Sequence, residues 1–457
     1  MIYYDEKKRL LMESEYQYLL QDRDEPNLYR KMFPYTEIPK CTFNNRLSPM
    51  DPPEEIWITD TTFRDGQQSR APYTTEQIVT LYKLLHRLGG DKGKIRQSEF
   101  FLYSESDKQA IYKCRELNYE FPEITGWIRA NKKDFELAKT MGLNECGILV
   151  SCSDYHIYNK LKVTRRQAMD NYLGIIKEAL SIGIRPRCHF EDITRADFYG
   201  FVLPFACELH DLSKESGIPI KIRICDTLGY GVPYPGASLP RSIPGIIYGL
   251  RTYANFDHAQ LEWHGHNDFY KAVVNSATAW LYGASGVNCS LLGIGERTGN
   301  TPLEAMVIEY AQLRGTLDGM NISVIREIAD YYESHLDYEI PARTPFIGSD
   351  FNMTQAGIHA DGLLKDEEIY NIFDTETLLK SPPGVAITST SGTAGIAMWL
   401  SRYVFTDQQI DKADSRTLKL KEWVDAQYKT GRVTTISTAE LMEACKMLGL
   451  IQSKRDC

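Results

Sequence analysis

Short apolar runs recur along the chain between about residue 55 and residue 300, and amphipathic stretches separate them. Each run is seven or eight residues long, which suits a buried β-strand. We therefore predict eight strands in this part of the chain. They cover residues 56–62, 94–101, 123–129, 146–152, 184–191, 220–226, 260–266 and 286–292.

The segments between the runs carry helix signals. "TTEQIVTLYKLLHRLGG" (74–90) opens with a threonine cap and closes on two glycines, as helices commonly do. "RRQAMDNYLGIIKEALSIG" (165–183) behaves in the same way. "NDFYKAVVNSATAWLYGAS" (267–285) begins with an Asn/Asp cap and places apolar residues at helical spacing. We expect a helix after each strand.

Strand and helix thus alternate in units of roughly 30 residues, which indicates an α/β fold and favours a (β/α)8 TIM barrel. A doubly wound open sheet would show the same alternation. However, no G-x-G-x-x-G turn follows the first run, and this weighs against the dinucleotide-binding version of the open sheet.

The two ends of the chain differ in character from this middle part. Residues 1–54 are polar, aromatic and punctuated by proline, so we expect an N-terminal extension on the outside of a barrel that covers 55–316. Residues 317–395 combine a helical stretch with a loop-rich segment, which we interpret as a linker and lid. Residues 396–457 return to helical patterns and predict a C-terminal, mostly helical subdomain.

Composition excludes several classes of protein. The 457 residues carry a formal net charge of −9, which argues against a nucleic-acid-binding surface. No apolar stretch approaches the roughly 20 residues of a membrane span, and the charged N-terminus lacks the apolar segment of a secretion signal. Ten cysteines are scattered without a CxxC pair. Reduced thiols in a cytoplasmic protein explain this better than disulfides or structural zinc.

Candidate chemistry collects just after the predicted strands, where the loops of a parallel barrel form its active face. Arg64 and Asp65 follow the first run, His264 and His266 close the seventh, and Asn300 ends the glycine-rich loop after the eighth. Alternate residues on a strand point the same way, so both imidazoles project to one side. Strands one, seven and eight become neighbours when the barrel closes. We expect these side chains to converge there.

One carboxylate, two imidazoles and an amide oxygen suit a divalent cation and leave positions open for water or a chelating substrate. The alternative for the histidine pair alone is two hydrogen-bonded imidazoles without a metal. Manganese, magnesium, cobalt, zinc and iron would all accept these ligands. Arg64 would stand beside the cation and donate to an oxygen that gains negative charge during reaction.

Four motifs together resemble the DRE-TIM metallolyase superfamily: "DTTFRDGQQ" (60–68), "HGHND" (264–268), "GIGERTGN" (293–300) and "AGIHADGLL" (356–364). The likeness extends over about 55–395 and is greatest to the Claisen-condensing branch, within it to the Re-citrate synthases. It implies that a metal-dependent acyltransferase condenses acetyl-CoA with a 2-oxo acid through an enolate and thioester hydrolysis. Oxaloacetate is the favoured acid, giving citrate and CoA.

The resemblance also implies roles for individual residues of the barrel. Asp65, His264 and His266 would ligate the metal, with Asn300 at or near it, and Arg64 would polarise the ketone. The further barrel residues would be Thr227 for the carboxylate of the oxo acid, Glu191 as an aid to proton abstraction, and Arg129 with strand-two groups such as Gln97 for the second carboxylate of the substrate.

The segment after the barrel matches the family at two further residues, His359 and Tyr370, which would be catalytic. In the family this segment usually reaches over the barrel mouth of a neighbouring subunit. The resemblance therefore implies an intertwined homodimer.

Related enzymes remain as alternatives. Homocitrate, 2-isopropylmalate and citramalate synthases share the motifs and differ in the oxo acid. A cleaving enzyme like HMG-CoA lyase would carry a reactive cysteine in the loop after strand eight, which here reads "LLGIGERTGN" (291–300). A biotin-dependent carboxyltransferase would need a lysine at the end of strand four, which here reads "GILVSCS" (147–153).

Overall fold

The computed structural model describes residues 2–6, 9–13, 17–129, 133–355 and 357–451. The chain divides into two compact units, residues 1–321 and 322–457. The sequence-based ranges 317–395 and 396–457 both fall almost entirely within the second unit.

The first unit is a closed barrel of eight parallel strands, in which the last strand pairs with both the first and the seventh. Each strand coincides with one of the eight apolar runs, so the predicted TIM barrel is confirmed. The strands are β1 (Trp57–Asp60), β2 (Ile95–Phe101), β3 (Glu123–Ile128), β4 (Glu145–Ser151), β5 (Arg185–Glu191), β6 (Lys221–Asp226), β7 (Leu261–Gly265) and β8 (Gly286–Cys289).

Helices follow the strands in the expected alternation. Local signals define them: the Thr74 hydroxyl and the Gln77 side chain form a reciprocal capping box at the start of the first helix, and Gly90 ends it with φ +63°. The helices are α1 (Thr75–Gly89), α2 (Glu105–Glu116), α3 (Lys133–Thr140), α4 (Arg165–Ser181), α5 (Leu203–Ser216), α6 (Ile243–Thr252), α7 (Ala272–Tyr282) and α8 (Leu303–Arg314).

The barrel has an apolar shell outside its strands and a charged interior. Outward-facing strand residues such as Ile148 and Ile222 are fully buried against the helices. The inward-facing residues near mid-barrel include an inner ionic layer, which we define by its members: Glu99, Glu145, Arg187, Arg223 and Glu262, none of them more than 5% exposed.

These charges form ion pairs with one another across the strands. Arg187 donates to Glu99 at 2.6 Å and to Glu145 at 2.8 Å. Arg223 donates to Glu262 at 2.6 Å and to Glu99 at 2.8 Å. Buried charges persist only when paired in this way, so the layer joins five strands of the barrel.

The N-terminal extension packs on the barrel through a buried arginine. Arg165 is fully buried and binds Asp154 with two nitrogens, at 2.8 and 2.7 Å. It also donates to the carbonyl oxygen of Gln21 at 2.9 Å. Before this segment, residues 2–5 and 10–13 form a two-stranded antiparallel sheet.

The second unit is mostly helical around its own apolar core, which includes Trp399, Leu420 and Leu441. Short parallel strands at Met353–Thr354 and Gly384–Val385 pair beside the helices. The helices are α9 (Val324–His335), α10 (Gly357–Lys365), α11 (Thr375–Leu379), α12 (Thr393–Tyr403), α13 (Ser415–Lys429) and α14 (Thr438–Met447).

Two composition-based expectations can be compared with this fold. Within the described residues, no helix combines the length and the apolar character that crossing a membrane requires. The nine cysteines in the same part of the chain are all free thiols.

Candidate metal and substrate site

The candidate ligands lie where strands end at one mouth of the barrel. Asp65 sits in the turn after β1, immediately before a short 3-10 turn, Gly66–Ser69. His264 lies near the end of β7, and His266 follows the strand. His266 also bridges the backbone of Asn300, which follows β8 in the glycine-rich loop. The three elements predicted to meet therefore do meet.

The ligand atoms face one another at short range. Asp65 Oδ2 lies 3.6 Å from His264 Nε2 and 3.8 Å from His266 Nε2, and the two Nε2 atoms are 3.3 Å apart. All three side chains are buried, and their ligand atoms lie within 4.8 Å of one another. A carboxylate and two imidazoles arranged like this form a site for a divalent cation.

A hydrogen-bond chain orients the first imidazole. His264 Nδ1 lies 2.8 Å from Asn288 Oδ1, and Asn288 Nδ2 donates to Thr59 Oγ1 at 2.9 Å. Because the Asn288 oxygen accepts only from a protonated Nδ1, the Nε2 of His264 carries the lone pair that a metal binds.

Asn300 completes the cluster. Its Nδ2 donates to Asp65 Oδ2 at 2.8 Å, whereas its Oδ1 is buried without a hydrogen-bond partner among the described residues. A buried unpaired acceptor beside three metal-type ligands fits a nearby cation. Asn300 does not cap the following helix, because α8 begins at Leu303 with Pro302 at its cap.

The electrostatics favour the ligating protonation states. Burial alone would raise the pKa of Asp65, but Arg64 and the two histidines lower this pKa to about 2. Burial lowers the pKa of His264. Burial and the neighbouring His264 lower the pKa of His266 to about 4. At neutral pH the site therefore offers one carboxylate and two uncharged imidazoles.

Arg64 stands beside this cluster, as expected. Its Nη1 lies 3.0 Å from Asp65 Oδ1, and its guanidinium stacks 4.7 Å from the centre of the Trp127 ring. Its buried Nε has no hydrogen-bond partner in the described part of the chain. Pairing and stacking hold the guanidinium in place, and one N–H remains for a ligand.

A cavity of about 200 Å³ opens over the cluster, enough for several water molecules or a small acid. Several of its lining residues could not be predicted, because an isolated arginine, histidine or tryptophan within a strand carries no motif. The lining residues are Arg64, Asp65, Gln68, Trp127, Leu149, His189, Glu191, Arg223, Cys225, Thr227, His264, His266 and Glu296.

The barrel that carries these ligands matches a known protein family. The HMGL-like family model matches residues 55–331, the barrel that carries the site. The chain belongs to the HMGL-like family. This confirms the resemblance drawn from the motifs, because the HMGL-like family and the DRE-TIM superfamily named above are the same group of barrels.

Individual HMGL-like relatives cover nearly the whole chain. It is 58% identical to a citrate (Re)-synthase of Clostridium kluyveri, over 93% of this chain and 94% of that protein. It is 56% identical to a citrate (Re)-synthase of Syntrophus aciditrophicus, over 92% of this chain and 67% of that protein. A 2-phosphinomethylmalate synthase of Streptomyces hygroscopicus is 36% identical over 92% of this chain and 96% of its own length.

Solved structures agree on the fold of this HMGL-like chain. The HMG-CoA lyase of Bacillus subtilis superimposes with a TM-score of 0.50 at 19% identity, over 64% of this chain and 98% of that one. At this identity the structural similarity is evidence for the barrel fold alone.

Two further predicted residues lie at the cavity. The Thr227 hydroxyl accepts a hydrogen bond from the Asp192 N–H at 2.8 Å. Glu191 is bound by Lys160 at 3.1 Å and lies 2.9 Å from His156 Nδ1. Burial opposes ionisation, but His156, Ser151 and Lys160 lower the pKa of Glu191 to about 2. In this state Glu191 is a firmly held anion, so its predicted part in proton abstraction would depend on a partner such as His156.

Two other predicted residues are not brought to the cavity. Gln97 lies near the start of β2, where its amide donates to Glu123 at 2.8 Å and accepts from Arg187 at 3.1 Å. Arg129 is exposed after β3, with its guanidinium 4.7 Å from the Tyr103 ring centre. Neither Gln97 nor Arg129 lines the cavity. The register of β2 places Gln97 at the opposite end of the barrel, and the side chain of Arg129 lies against Tyr103.

The last two predicted residues belong to the second unit. His359 on α10 and Tyr370 after the following turn lie side by side, with ring centres 4.5 Å apart. Both are exposed, Tyr370 by 49%. The structure brings these two together, and their catalytic roles stay predictions.

Proposed function

We propose that this protein is a citrate (Re)-synthase that condenses acetyl-CoA, oxaloacetate and water to citrate and CoA. The observation that carries the proposal is the buried cluster of Asp65, His264 and His266 at the mouth of the barrel. The surrounding sequence supports this assignment, because this chain is 58% identical to one enzyme of that name over 93% of the length of this chain.

The cluster is proposed to hold a divalent cation, with manganese favoured. The fit rests on two uncharged imidazoles, one carboxylate and the unpaired Asn300 Oδ1 beside them. When bound, the cation would supply Lewis-acid polarisation of the ketone of the oxo acid.

The chain's own residues would do the rest at the cavity. Arg64 would donate to the ketone oxygen as negative charge develops on it, because its Nε is buried and has no hydrogen-bond partner among the described residues. Thr227 would donate its hydroxyl hydrogen to the carboxylate of the oxo acid. Glu191 would keep His156 oriented at the rim, since these two already lie 2.9 Å apart.

Removal of the methyl proton of acetyl-CoA needs a base close to the thioester. We assign this step to His359 with Tyr370 as proton donor or relay, supplied by the partner subunit of an intertwined homodimer. Their mutual contact at 4.5 Å and their exposure support a pair that can act on a second molecule. The free cysteines support a cytoplasmic setting, where thiols stay reduced.

A panel of oxo acids tests the reaction. Purified enzyme is stripped of metal, reloaded with single cations and assayed under anoxic conditions for acetyl-CoA-dependent CoA release. The acids are oxaloacetate, 2-oxoglutarate, pyruvate and 2-oxoisovalerate. We expect oxaloacetate to be turned over fastest, with citrate formed, and manganese to restore the most activity. Strong turnover of another acid with none of oxaloacetate would overturn the proposal.

Subunit mixing tests the shared site. Asp65→Ala and His359→Ala proteins should each be inactive, and mixing followed by subunit exchange should restore about a quarter of wild-type activity, because half of the dimers then contain one site with neither change. Mixed dimers that stay inactive, despite confirmed exchange, would place both residues in one subunit's site.

A further inference from the structure

The guanidinium of Arg223, at the floor of the cavity, has a nitrogen with no hydrogen-bond partner in the part of the chain that the structure describes. Arg223 is 1% exposed and lies within β6. Its Nε donates to Glu262 and its Nη1 to Glu99. Its Nη2 is buried and unpaired among the residues the structure describes, although Arg223 lines the cavity.

A buried N–H without an acceptor destabilises a fold, so such groups need an explanation. Arg187 is the natural comparison, because it is equally buried in the same layer and also binds Glu99. Both of its Nη atoms are hydrogen-bonded, Nη1 to Gln97 and Glu145 and Nη2 to Glu99 and Thr125. Arg187 is not among the residues that line the cavity. Among the described residues, Arg187 leaves its Nε without a hydrogen bond, 3.8 Å from Glu262, whereas Arg223 leaves an Nη atom open and lines the cavity.

Strand register places Arg223 directly beneath the candidate metal ligands. In the pairing of β6 with β7, Arg223 lies opposite Glu262 and Cys225 lies opposite His264. Inward-facing residues alternate along a strand, so Arg223 is one layer deeper than His264. A small acid held at the mouth would extend towards it.

His189 is the neighbour of Arg223 at this floor. It lines the same cavity, and its buried Nε2 lies 3.3 Å from Glu99 Oε1 without a hydrogen bond in the described chain. Gly147 leaves the room for this side chain, because a Cβ there would lie 2.6 Å from His189 Nε2. Burial and the adjacent Arg223 lower the pKa of His189 to about 3, so the ring is an uncharged donor or acceptor.

Charge decides which kind of ligand group fits here. Among the described residues that line the cavity, Arg64 and Arg223 carry permanent positive charge. Arg64 is held against Asp65 at 3.0 Å, next to the expected position of the ketone. Arg223 offers Nη2 to an anion at the far end of the substrate, while its other nitrogens bind Glu262 and Glu99.

We infer that Arg223, assisted by His189, binds the second carboxylate of oxaloacetate and so selects a dicarboxylic oxo acid over a monocarboxylic one. This inference rests on the proposed function. It gives to Arg223 and His189 the binding of the second carboxylate, which the family resemblance had implied for Arg129 and Gln97.

The test compares two matched substitutions, Arg223→Lys and Arg187→Lys. Each keeps its positive charge and its neighbouring carboxylates, and only the first removes a nitrogen from the cavity. For Arg223→Lys we expect the KM for oxaloacetate, and its Kd by calorimetry, to rise about 10- to 100-fold. The KM for acetyl-CoA should stay within about twofold, and the preference for oxaloacetate over pyruvate should fall by a similar 10- to 100-fold factor.

For Arg187→Lys we expect the oxaloacetate Kd and KM to stay within about twofold, even if the melting temperature falls. Equal effects of the two substitutions, or an unchanged Kd in Arg223→Lys, would overturn the inference. If Arg223→Lys does not fold, the double variant Arg223→Met with Glu262→Gln replaces it, because it removes one charge of each sign. That variant should lose oxaloacetate binding to the same degree, and retained binding would overturn the inference.

The assay of wild-type enzyme separates the two claims. Wild-type protein that makes no citrate from oxaloacetate contradicts the proposed function. Wild-type protein that makes citrate, with Arg223→Lys binding oxaloacetate normally, contradicts only the role of Arg223.

Discussion

The mouth of the barrel and its inner ionic layer are built from similar side chains in different arrangements. In the layer, donors alternate with acceptors: Arg187 reaches Glu99 at 2.6 Å and Glu145 at 2.8 Å. At the mouth, atoms of the kind that bind metals face one another: the Nε2 atoms of His264 and His266 are 3.3 Å apart, with Asp65 beside them.

The difference shows how to separate a structural cluster from a functional one. Buried charges of opposite sign that pair with one another stabilise the barrel, and among the described residues this pairing leaves only single nitrogens of Arg187 and Arg223 without a hydrogen bond in the layer. A group of converging ligand atoms, with Asn300 Oδ1 lacking a hydrogen-bond partner among the described residues, offers a binding position to an added cation. Residue types alone do not distinguish these cases. The following substitutions test the contrast.

The largest effect is expected at the mouth from Asp65→Ala. The change removes the one carboxylate of the cluster, so turnover should fall at least about 1000-fold and the protein should lose its metal. Metal content by elemental analysis and kcat measure this. The fold should survive, because the remaining imidazoles are uncharged. Retained metal with normal turnover would show that the cluster is not the metal site.

In the inner ionic layer, Arg187→Ala should act on stability instead. It leaves Glu99 and Glu145 with fewer partners in a buried setting, so the free energy of unfolding should fall by about 3–5 kcal/mol. Denaturant unfolding measures this, and metal affinity of the folded fraction serves as the control. A loss of metal affinity without a loss of stability would show that the inner ionic layer is not a purely structural cluster.

Arg64→Lys should lower kcat by about 100- to 1000-fold while leaving the metal bound. A lysine keeps the charge beside Asp65, but it has no planar guanidinium to stack on Trp127. Steady-state kinetics and metal analysis on one sample separate the two effects. A change in KM alone, with kcat intact, would mean that Arg64 holds the substrate without assisting the reaction.

The smallest effect concerns the rim, where the pKa of Glu191 is lowered from 4.5 to about 2. A carboxylate with a lowered pKa stabilises the fold above its ordinary pKa, and this stabilisation disappears as the pH falls towards the lowered value. Wild type should therefore exceed Glu191→Gln by about 1–3 kcal/mol in unfolding free energy at pH 7. The gap should close between about pH 5 and pH 2. A gap that does not depend on pH would mean that the ion pairs of Glu191 contribute nothing.

Most of the barrel could be predicted because its determinants are local. Apolar runs, the Thr74 cap and the Gly90 stop each act within a few residues. The His264–His266 pair was predictable for the same reason, since alternation along one strand sets both imidazoles on one side. Closure of the barrel then brings Asp65 and Asn300 to them.

The residues that prediction misplaced or missed depend on register between distant strands. Gln97 was expected at the substrate, yet its position near the start of β2 sends it to the far end of the barrel. Arg223 and His189 were not anticipated, because each is an isolated polar residue in a strand. Their significance arises from partners that lie far away along the chain.

By itself, the sequence determined the order of strands and helices and which strand ends carry ligating side chains, because these depend on short-range periodicity and on residue chemistry. Only the tertiary structure decided which buried charges are neutralised and which donors and acceptors stay open, as at Arg187 and Arg223. That choice depends on distances of a few ångströms between residues such as Glu99 and Arg223, which barrel closure sets and which no local pattern in the chain records.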